Sequence, residues 1–239
     1  MMEEEIDGQL SAAERGLLVS AVCLGPVKPK VVLEVGTWLG GGSTIHILEA
    51  LERNGEGRLW GIEADRSTYE QMMKNLHRAA PKAVRRFTPL FGFSQKVIPR
   101  WLEEQGEGFH IDMAFLDGGN RPSEQITEFN LIDPLMPVGG ILMTHDAKLR
   151  KGKWLVPFVS RLDNWESKLH DISVEGLFHA RKTALQPSAS SRRSARLALL
   201  RMRLNPIEVT AAMVPSGICG LLLRLLPYAL SRRLSEGRK

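Results

Sequence analysis

Cysteine is scarce in this chain, which has two cysteines among 239 residues, Cys23 and Cys219. They lie far apart and no Cys-x-x-Cys pair occurs, so the sequence offers neither a disulfide framework nor the ligand spacing of a structural zinc site. The first ten residues, MMEEEIDGQL, are acidic, whereas a secretory signal would begin with basic residues. We therefore expect a cytoplasmic protein.

A net positive charge is also absent from most of the chain, although the formal net charge of the whole chain is +5. Residues 185–239 carry ten Lys/Arg and two Glu, so this segment alone has a net charge of +8 and residues 1–184 sum to −3. Because the main part of the chain is acidic, the composition argues against a nucleic acid as its partner.

Two phosphate-binding motifs are missing from the glycine-rich stretch VVLEVGTWLGGGSTI at residues 31–45. A dinucleotide fold uses G-x-G-x-x-G, but Trp38 occupies the position of the middle glycine after Gly36. A P-loop ends in Gly-Lys-Ser/Thr, and no lysine occurs anywhere in the stretch. The loop therefore predicts a ligand without a pyrophosphate.

Short apolar runs alternate with helical patterns along residues 11–162. Strands are predicted at residues 31–35, 58–63, 84–90, 111–116 and 140–144, and helices at residues 11–25, 43–51, 67–79, 94–105, 123–135 and 154–162. Ser11 and Glu14 match a capping box at the start of the first helix. Such alternation indicates right-handed βαβ units, and hence an α/β fold with a doubly wound, Rossmann-like, mostly parallel sheet.

The pattern changes after the fifth strand. Residues 168–174 and 177–181 flank Glu175-Gly176 as the strands of a hairpin would, so we expect the sheet to end in an antiparallel pair. Residues 186–194, PSASSRRSA, are polar and low in complexity, which predicts a linker. We therefore divide the chain into one domain, residues 1–184, and a basic, apolar, helical C-terminal extension, residues 185–239.

Acidic residues stand at the ends of the predicted strands, where ligands bind in an open parallel sheet. Carboxylates there suit a ligand with a ribose diol and a positive charge, and S-adenosylmethionine has both and carries no phosphate. Glu63 would hold the ribose hydroxyls. The other residues expected to contact this ligand at the glycine-rich loop are Glu34, Gly36, Trp38, Gly40 and Ser43, with Thr44 as an alternative to Ser43.

Three stretches together resemble a known family. EVGTWLGGGST, residues 34–44, is similar to motif I of class I S-adenosylmethionine-dependent methyltransferases, particularly the small-molecule O-methyltransferases of the catechol and bacterial macrocin types. Residues 92–120 resemble the segment of these enzymes that runs from the adenine-contacting loop to the metal-binding aspartate. Residues 137–147 resemble their fifth strand. The resemblance implies that Ser94 and Gln95 contact the adenine and that Asp117 lies beside cofactor and metal.

The resemblance also implies a Mg²⁺ site at Asp117, His145 and Asp146. The catechol-type enzymes place a basic lysine after the strand-four aspartate, where this chain has Gly118-Gly119-Asn120. Two accounts of acceptor activation therefore stay open. A divalent cation would lower the pKa of the acceptor hydroxyl, or His145 would act as general base without metal.

The expected reaction is O-methylation of a small-molecule hydroxyl. RNA or protein methylation on the same fold is one alternative, but no Asn/Asp-Pro-Pro-aromatic motif for base amino groups occurs. The other is a catalytically inert cofactor-binding protein attached to a membrane or partner by its extension. Arg- and Leu-rich residues 191–230 suit either peripheral membrane contact or packing onto the domain or a second subunit in a homodimer.

Overall fold

The structure, a computed structural model, describes residues 6–25 and 27–204. In this part of the chain, strands β1 to β7 occupy Val31–Val35, Arg58–Glu63, Phe87–Phe91, Met113–Leu116, Ile141–Thr144, Trp165–His170 and Leu177–Lys182. Helices α1 to α7 occupy Ala12–Cys23, Thr44–Asn54, Arg66–Ala79, Ser94–Glu103, Pro122–Ile132, Gly152–Val159 and Ala189–Arg203. Short 3₁₀ helices occupy Ala83–Arg86 and Asp133–Leu135.

The strands form one sheet in the order β3-β2-β1-β4-β5-β7-β6. The first five strands pair in parallel, and β7 pairs antiparallel with both β5 and β6. This is the doubly wound, Rossmann-like architecture with a terminal antiparallel hairpin that the sequence predicts, and the fold class is confirmed.

The central strands are buried on both faces, as their continuous apolar runs require. Leu33 and Leu116 belong to one cluster, with side chains of α4, α5 and α6. Val32 and Phe115 belong to the opposite cluster, with side chains of α1, α2 and α3. Two cores of this size hold the sheet rigid, so the strand ends form a fixed platform for the loops.

The strand order reverses between β1 and β4, which is where ligands bind in this architecture. The loops that follow these two strands touch. Gly36 has φ +88°, and a Cβ on it would lie 2.6 Å from the backbone nitrogen of Gly118. A glycine is therefore required at this crossing of the two loops.

The strands β4 and β5 bring the next residues of the chain together. Leu116 and Thr144 are partners at the end of the parallel ladder. Asp117 follows the first of these directly, and His145 and Asp146 follow the second. The ladder thus places all three predicted metal ligands side by side.

Two predicted strands differ from the structure by three or more residues at one end or both. Residues 84–86 belong to a 3₁₀ helix, in which the Arg85 amide donates to the Lys82 carbonyl and the Phe87 amide donates to the Val84 carbonyl, and β3 begins only at Phe87. The first hairpin strand is Trp165–His170 rather than residues 168–174. Ser173 lies in the turn, where its hydroxyl accepts from the Gly176 amide at 2.8 Å.

The predicted linker is also wrong from residue 189 onward, because α7 begins there. Ser188 caps α7 by accepting from the Ser191 amide at 3.2 Å, so its serines start a helix rather than a flexible segment. Ala195 is fully buried, and the Arg203 guanidinium lies 5.1 Å from the centre of the Trp154 ring on α6. The first part of the extension therefore packs on the domain, whereas the division at residue 184 stays a prediction.

The uncharged stretch 209–223 and most of the predicted membrane-contact segment 191–230 lie outside the described residues. Among the helices that are described, none has the length and apolar character needed to cross a membrane. Membrane contact and dimerisation through this segment stay predictions.

Candidate functional site

A cavity of about 390 Å³ lies at the carboxyl ends of β1, β2, β4 and β5. Seven of the residues predicted from the sequence line it, namely Gly36, Trp38, Glu63, Ser94, Gln95, Asp117 and Asp146. Four others, Glu34, Gly40, Ser43 and His145, are placed behind its wall.

Glu63 at the end of β2 orders the loops on its side of the cavity. One carboxylate oxygen accepts from the Trp38 amide at 3.0 Å, and the other accepts from the Ala64 and Asp65 amides at 2.8 and 2.9 Å. Trp38 has φ +46°, an uncommon conformation for a non-glycine residue, and remains 40% exposed at the cavity mouth. The carboxylate is thus held by three amides beside the open space.

Residues 6–10 cross over the glycine-rich loop, a contact that the sequence did not predict. A Cβ on Gly41 would lie 2.2 Å from the Ile6 carbonyl oxygen, and a Cβ on Gly8 would lie 2.4 Å from the Gly41 carbonyl oxygen. Gln9 lines the cavity. Gly41 and Gly42 therefore serve close packing of the N-terminal segment, whereas a Cβ on Gly40 would meet Leu76 and Met72 of α3.

Glu34 and Ser43 form a buried pair below the loop. The Ser43 hydroxyl donates to the Glu34 carboxyl, and neither side chain reaches the cavity. Complete burial raises the pKa of Glu34 to about 8, against the smaller opposing effect of this hydrogen bond. The Ser43 hydroxyl thus has a partner within the fold, and its contact with the carboxylate of a ligand stays a prediction.

Glu128 on α5 is a lining residue that the sequence analysis missed. It accepts from the Ser94 hydroxyl at 2.5 Å and from the Gln95 amide at 3.3 Å. Burial raises the pKa of Glu128 to about 7, and its second oxygen has no hydrogen-bond partner among the described residues. An unpartnered carboxyl oxygen therefore lies next to the predicted adenine contacts.

Five ionisable side chains meet at the ends of β4 and β5, and we call them the charge cluster: Glu14, Asp117, His145, Asp146 and Lys151. The Lys151 ammonium donates to Asp117 Oδ1 at 2.5 Å and lies 2.8 Å from Asp146 Oδ2. His145 Nδ1 lies 3.5 Å from an oxygen of both aspartates, and Nε2 lies 3.5 Å from Glu14.

His145 is the core of this cluster and is sealed from the cavity, with its side chain 2% exposed. Neither ring nitrogen makes a hydrogen bond of good geometry within the described part of the chain. Burial alone would lower the pKa of His145, but the carboxylates of Asp117, Asp146 and Glu14 outweigh it and raise the pKa. An imidazole enclosed in this way is poorly placed to take a proton directly from a ligand.

The pKa values of three other cluster residues shift toward their charged forms as well. Burial would raise the pKa of Asp117, but Lys151 and His145 lower it, and the pKa of Lys151 is raised because Asp117 and Asp146 outweigh its burial. For Glu14, hydrogen bonds from Ser173 and Ser11 outweigh burial and lower the pKa. The cluster is therefore a mutually supporting set of charges.

Glu14 and Lys151 were not predicted as site residues. Glu14 does complete the predicted capping box with Ser11. Its other oxygen accepts from the Ser173 hydroxyl at 2.6 Å and faces His145, a contact spanning more than a hundred residues that no local pattern indicates. Lys151 stands just before α6, 34 residues after Asp117. In the sequence, Lys151 can be recognised only as a lysine that lies a few residues after the predicted strand 140–144.

Asp117, His145 and Asp146 offer ligand atoms within 4.8 Å of one another, as the predicted metal site requires. However, Lys151 contacts an oxygen of each aspartate at 2.5 and 2.8 Å. A divalent ion on these oxygens would lie against an ammonium group, and the two cations would repel each other strongly at such distances. With Lys151 in this position, the residues do not fit a divalent cation.

The cavity does fit the predicted cationic ligand. Among the residues that the structure describes, five carboxyl groups line it, Glu63, Asp117, Glu124, Glu128 and Asp146, against the single ammonium of Lys151. Such an excess of acids attracts a positively charged sulfur and repels phosphate. Gln9, Ser94, Gln95 and Asn120 add neutral hydrogen-bonding groups to the wall.

Comparison with known families agrees with this geometry. Residues 33–147 match a family described as a methyltransferase domain. Comparison with curated protein sequences gave no significant match.

Solved structures share the fold. The O-methyltransferase TomG from Streptomyces achromogenes, involved in tomaymycin synthesis and solved in complex with S-adenosylmethionine, is 20% identical with a TM-score of 0.60, over 74% of this chain and 82% of that chain. An O-methyltransferase from Bacillus cereus in complex with S-adenosylhomocysteine is 18% identical with a TM-score of 0.57, over 73% of this chain and 83% of that chain. At these identities the likeness establishes the fold.

Proposed function

We propose that the chain transfers the methyl group of S-adenosylmethionine to a hydroxyl oxygen of a small molecule. The match of residues 33–147 to a methyltransferase domain supports the transfer of a methyl group. The observation that carries this proposal is the acidic cavity at the ends of β1, β2, β4 and β5, which ends at the charge cluster. The acceptor class is supported by the O-methyltransferases that share the fold.

The cofactor contacts follow from the cavity wall. Glu63, held by three backbone amides, is positioned to accept both ribose hydroxyls. Ser94 and Gln95 begin α4 beside Glu128, where their polar groups can meet an adenine edge. Gly36 leaves backbone accessible where β1 and β4 meet.

Acceptor activation falls to Asp146, because it is the aspartate after β5 that faces the cavity. It has φ +54°, an uncommon conformation for a non-glycine residue, and its side chain lines the cavity with 22% exposure. S-adenosylmethionine supplies a methyl group on a cationic sulfur. Asp146 would orient the acceptor hydroxyl and receive its proton, with Lys151 and His145 offsetting the carboxylate charge.

Divalent-metal assistance is the competing account, and it stays a prediction. It is favoured by the three donor groups within 4.8 Å and opposed by the contacts of Lys151 with the same oxygens. The choice between them concerns how the hydroxyl is activated and does not affect the proposed reaction.

Calorimetric titration with S-adenosylmethionine tests the cofactor site. We expect Glu63→Gln to weaken binding by roughly 10- to 100-fold, because loss of hydrogen bonds to a charged acceptor costs about 1.5–3 kcal/mol. Glu70→Gln is the matched control, since Glu70 lies on α3 in an exposed ion pair with Arg66, and it should bind as the unmodified protein does. Absence of binding by the unmodified protein would refute the proposal.

Transfer of labelled methyl groups then tests the acceptor class. We expect label to appear in members of a panel of hydroxylated small molecules, with little in RNA or protein substrates. Label in RNA or protein alone would favour the first alternative. Cofactor binding with no transfer to any panel member, RNA or protein would favour the inert binding protein.

A further inference from the structure

Lys151 belongs to the charge cluster but is not among the site residues that were predicted from the sequence. Its side chain is 7% exposed, and its Nζ lies between Asp117 Oδ1 at 2.5 Å and Asp146 Oδ2 at 2.8 Å. It also donates to the Asp117 backbone carbonyl at 3.0 Å. Three acceptors therefore take the three hydrogens of the ammonium, and the lysine is fully bound within the cluster.

The location of this lysine indicates more than structural stabilisation. A buried ammonium loses its hydration, and an ion pair of this kind gives little net stability compared with apolar side chains of the same volume. Here the pair lies on the cavity wall, and all three of Asp117, Asp146 and Lys151 line the open space. Charged groups in such a place are expected to serve the ligand.

The oxygens that Lys151 holds belong to the same groups that a divalent ion would use. With His145 they form a donor set spanning 4.8 Å. A single ammonium placed between two carboxylates provides positive charge at the point where a cation would otherwise lie. Unlike an ion, it is covalently attached and cannot be removed by a chelator.

We propose that the Lys151 ammonium takes the place of the divalent cation at this site, so that methyl transfer by this protein needs no metal. The inference rests on the proposed function. Lys151 is a positioning residue in this scheme, because it acts through Asp117 and Asp146 rather than on the acceptor. It fixes the two carboxylates and offsets their charge beside the acceptor oxygen.

The transfer step balances without a metal. A lone pair of the acceptor oxygen forms the new bond to the methyl carbon, and the electrons of the broken carbon–sulfur bond remain on sulfur, which becomes neutral. The hydroxyl proton passes to the Asp146 carboxylate. Lys151 keeps its three protons throughout.

Removal of the ammonium should create a metal site. In Lys151→Ala the donor groups of Asp117, His145 and Asp146 remain while the competing cation is gone, so we expect the variant to bind about one Mn²⁺ per chain. The unmodified protein and the control Lys153→Ala, an exposed lysine two residues along in α6, should bind none at Mn²⁺ concentrations that saturate Lys151→Ala. Mn²⁺ binding is measured by electron paramagnetic resonance and calorimetry.

Lys151→Met retains the volume of the side chain without its charge, and it replaces Lys151→Ala if thermal unfolding shows that the alanine variant does not fold. One Mn²⁺ bound by the unmodified protein and lost in Asp146→Asn would overturn the inference, as would a folded Lys151 variant that binds no Mn²⁺. Titration with S-adenosylmethionine is run on the same samples. If the unmodified protein binds the cofactor and one of these two Mn²⁺ results is obtained, the role of Lys151 is rejected and the proposed function stands. If the unmodified protein does not bind the cofactor, the proposed function is rejected.

Discussion

Glu34 is a buried carboxyl group whose ionisation makes the stability of the fold depend on pH. It is completely buried at the end of β1 with the Ser43 hydroxyl as partner, and burial raises its pKa from 4.5 to about 8. The unfolded chain therefore releases this proton at lower pH than the folded chain does. Its contribution to stability is fully present below about pH 4.5 and is lost as the pH rises to about 8.

We therefore predict that Glu34→Gln stabilises the protein at pH 8 and changes its stability little at pH 4.5. The expected gain at pH 8 is at least about 1 kcal/mol, which corresponds to a rise of about 2–4 °C in the melting midpoint of a protein of this size. Melting curves of both proteins between these pH values measure it. A gain that stays constant across the range would contradict the assigned ionisation of Glu34.

The residue scale is also where sequence reasoning reached its limit. Glu63, Asp117 and Asp146 could be placed because each stands at or just after the end of a strand, and parallel strands end at a common edge. His145 occupies the same kind of position, yet its side chain turns into the core. The side to which a strand-end residue points depends on the packing of distant elements, here Glu14 of α1, which sequence spacing does not encode.

At the scale of elements, residues 6–10 and the glycine-rich loop form a packed unit. Gly41 is the contact point, because a Cβ there would lie 2.2 Å from the Ile6 carbonyl and 2.3 Å from the Asp7 carbonyl. Both contacts are with backbone, so a larger residue displaces the segment rather than a flexible side chain. Gln9, which lines the cavity, moves with it.

We predict that Gly41→Ala destabilises the protein by on the order of 2 kcal/mol and weakens binding of S-adenosylmethionine. The matched change Gly16→Ala, on the exposed face of α1 where a Cβ meets nothing within 4 Å, should instead stabilise α1 by up to about 1 kcal/mol. Chemical denaturation and calorimetry compare the two variants. Equal behaviour of the two would show that the N-terminal segment does not pack on the loop.

The elements themselves were largely predictable, because strand and helix periodicities differ strongly and buried parallel strands are short and apolar. The errors fell where local pattern and tertiary contact compete. Val84 carries a β-branched side chain but is held in a 3₁₀ turn after α3. Serines 188 and 191 look like linker residues, yet both make hydrogen bonds to Asp163 that fix the start of α7.

At the scale of the whole molecule, the question is whether α7 contributes to the stability of the domain. Ala195 is fully buried, and Leu199 packs against the core cluster that includes Leu155 and Phe158 of α6. Removal of α7 would expose this apolar surface to water. The boundary near residue 184 was drawn from composition, which cannot detect such packing.

We predict that a chain ending at residue 184 has a lower melting midpoint than a chain ending at residue 204, by several degrees. The difference arises because the longer chain retains α7 and its contacts with α6. Thermal unfolding of the two chains, at equal concentration and with far-ultraviolet circular dichroism as the signal, measures it. Identical midpoints would support the predicted division at residue 184.

The pairing of β4 with β5 has a consequence for protein engineering. Since Leu116 and Thr144 are ladder partners, the spacing of Asp117 and Asp146 is set by the sheet rather than by the loops that follow. The loop Gly119-Asn120 borders the cavity without taking part in that ladder. If the proposed methyl transfer takes place in this cavity, we expect variation of this loop to change which acceptors enter while the two carboxylates keep their spacing. Libraries for new acceptor specificity should therefore be built there.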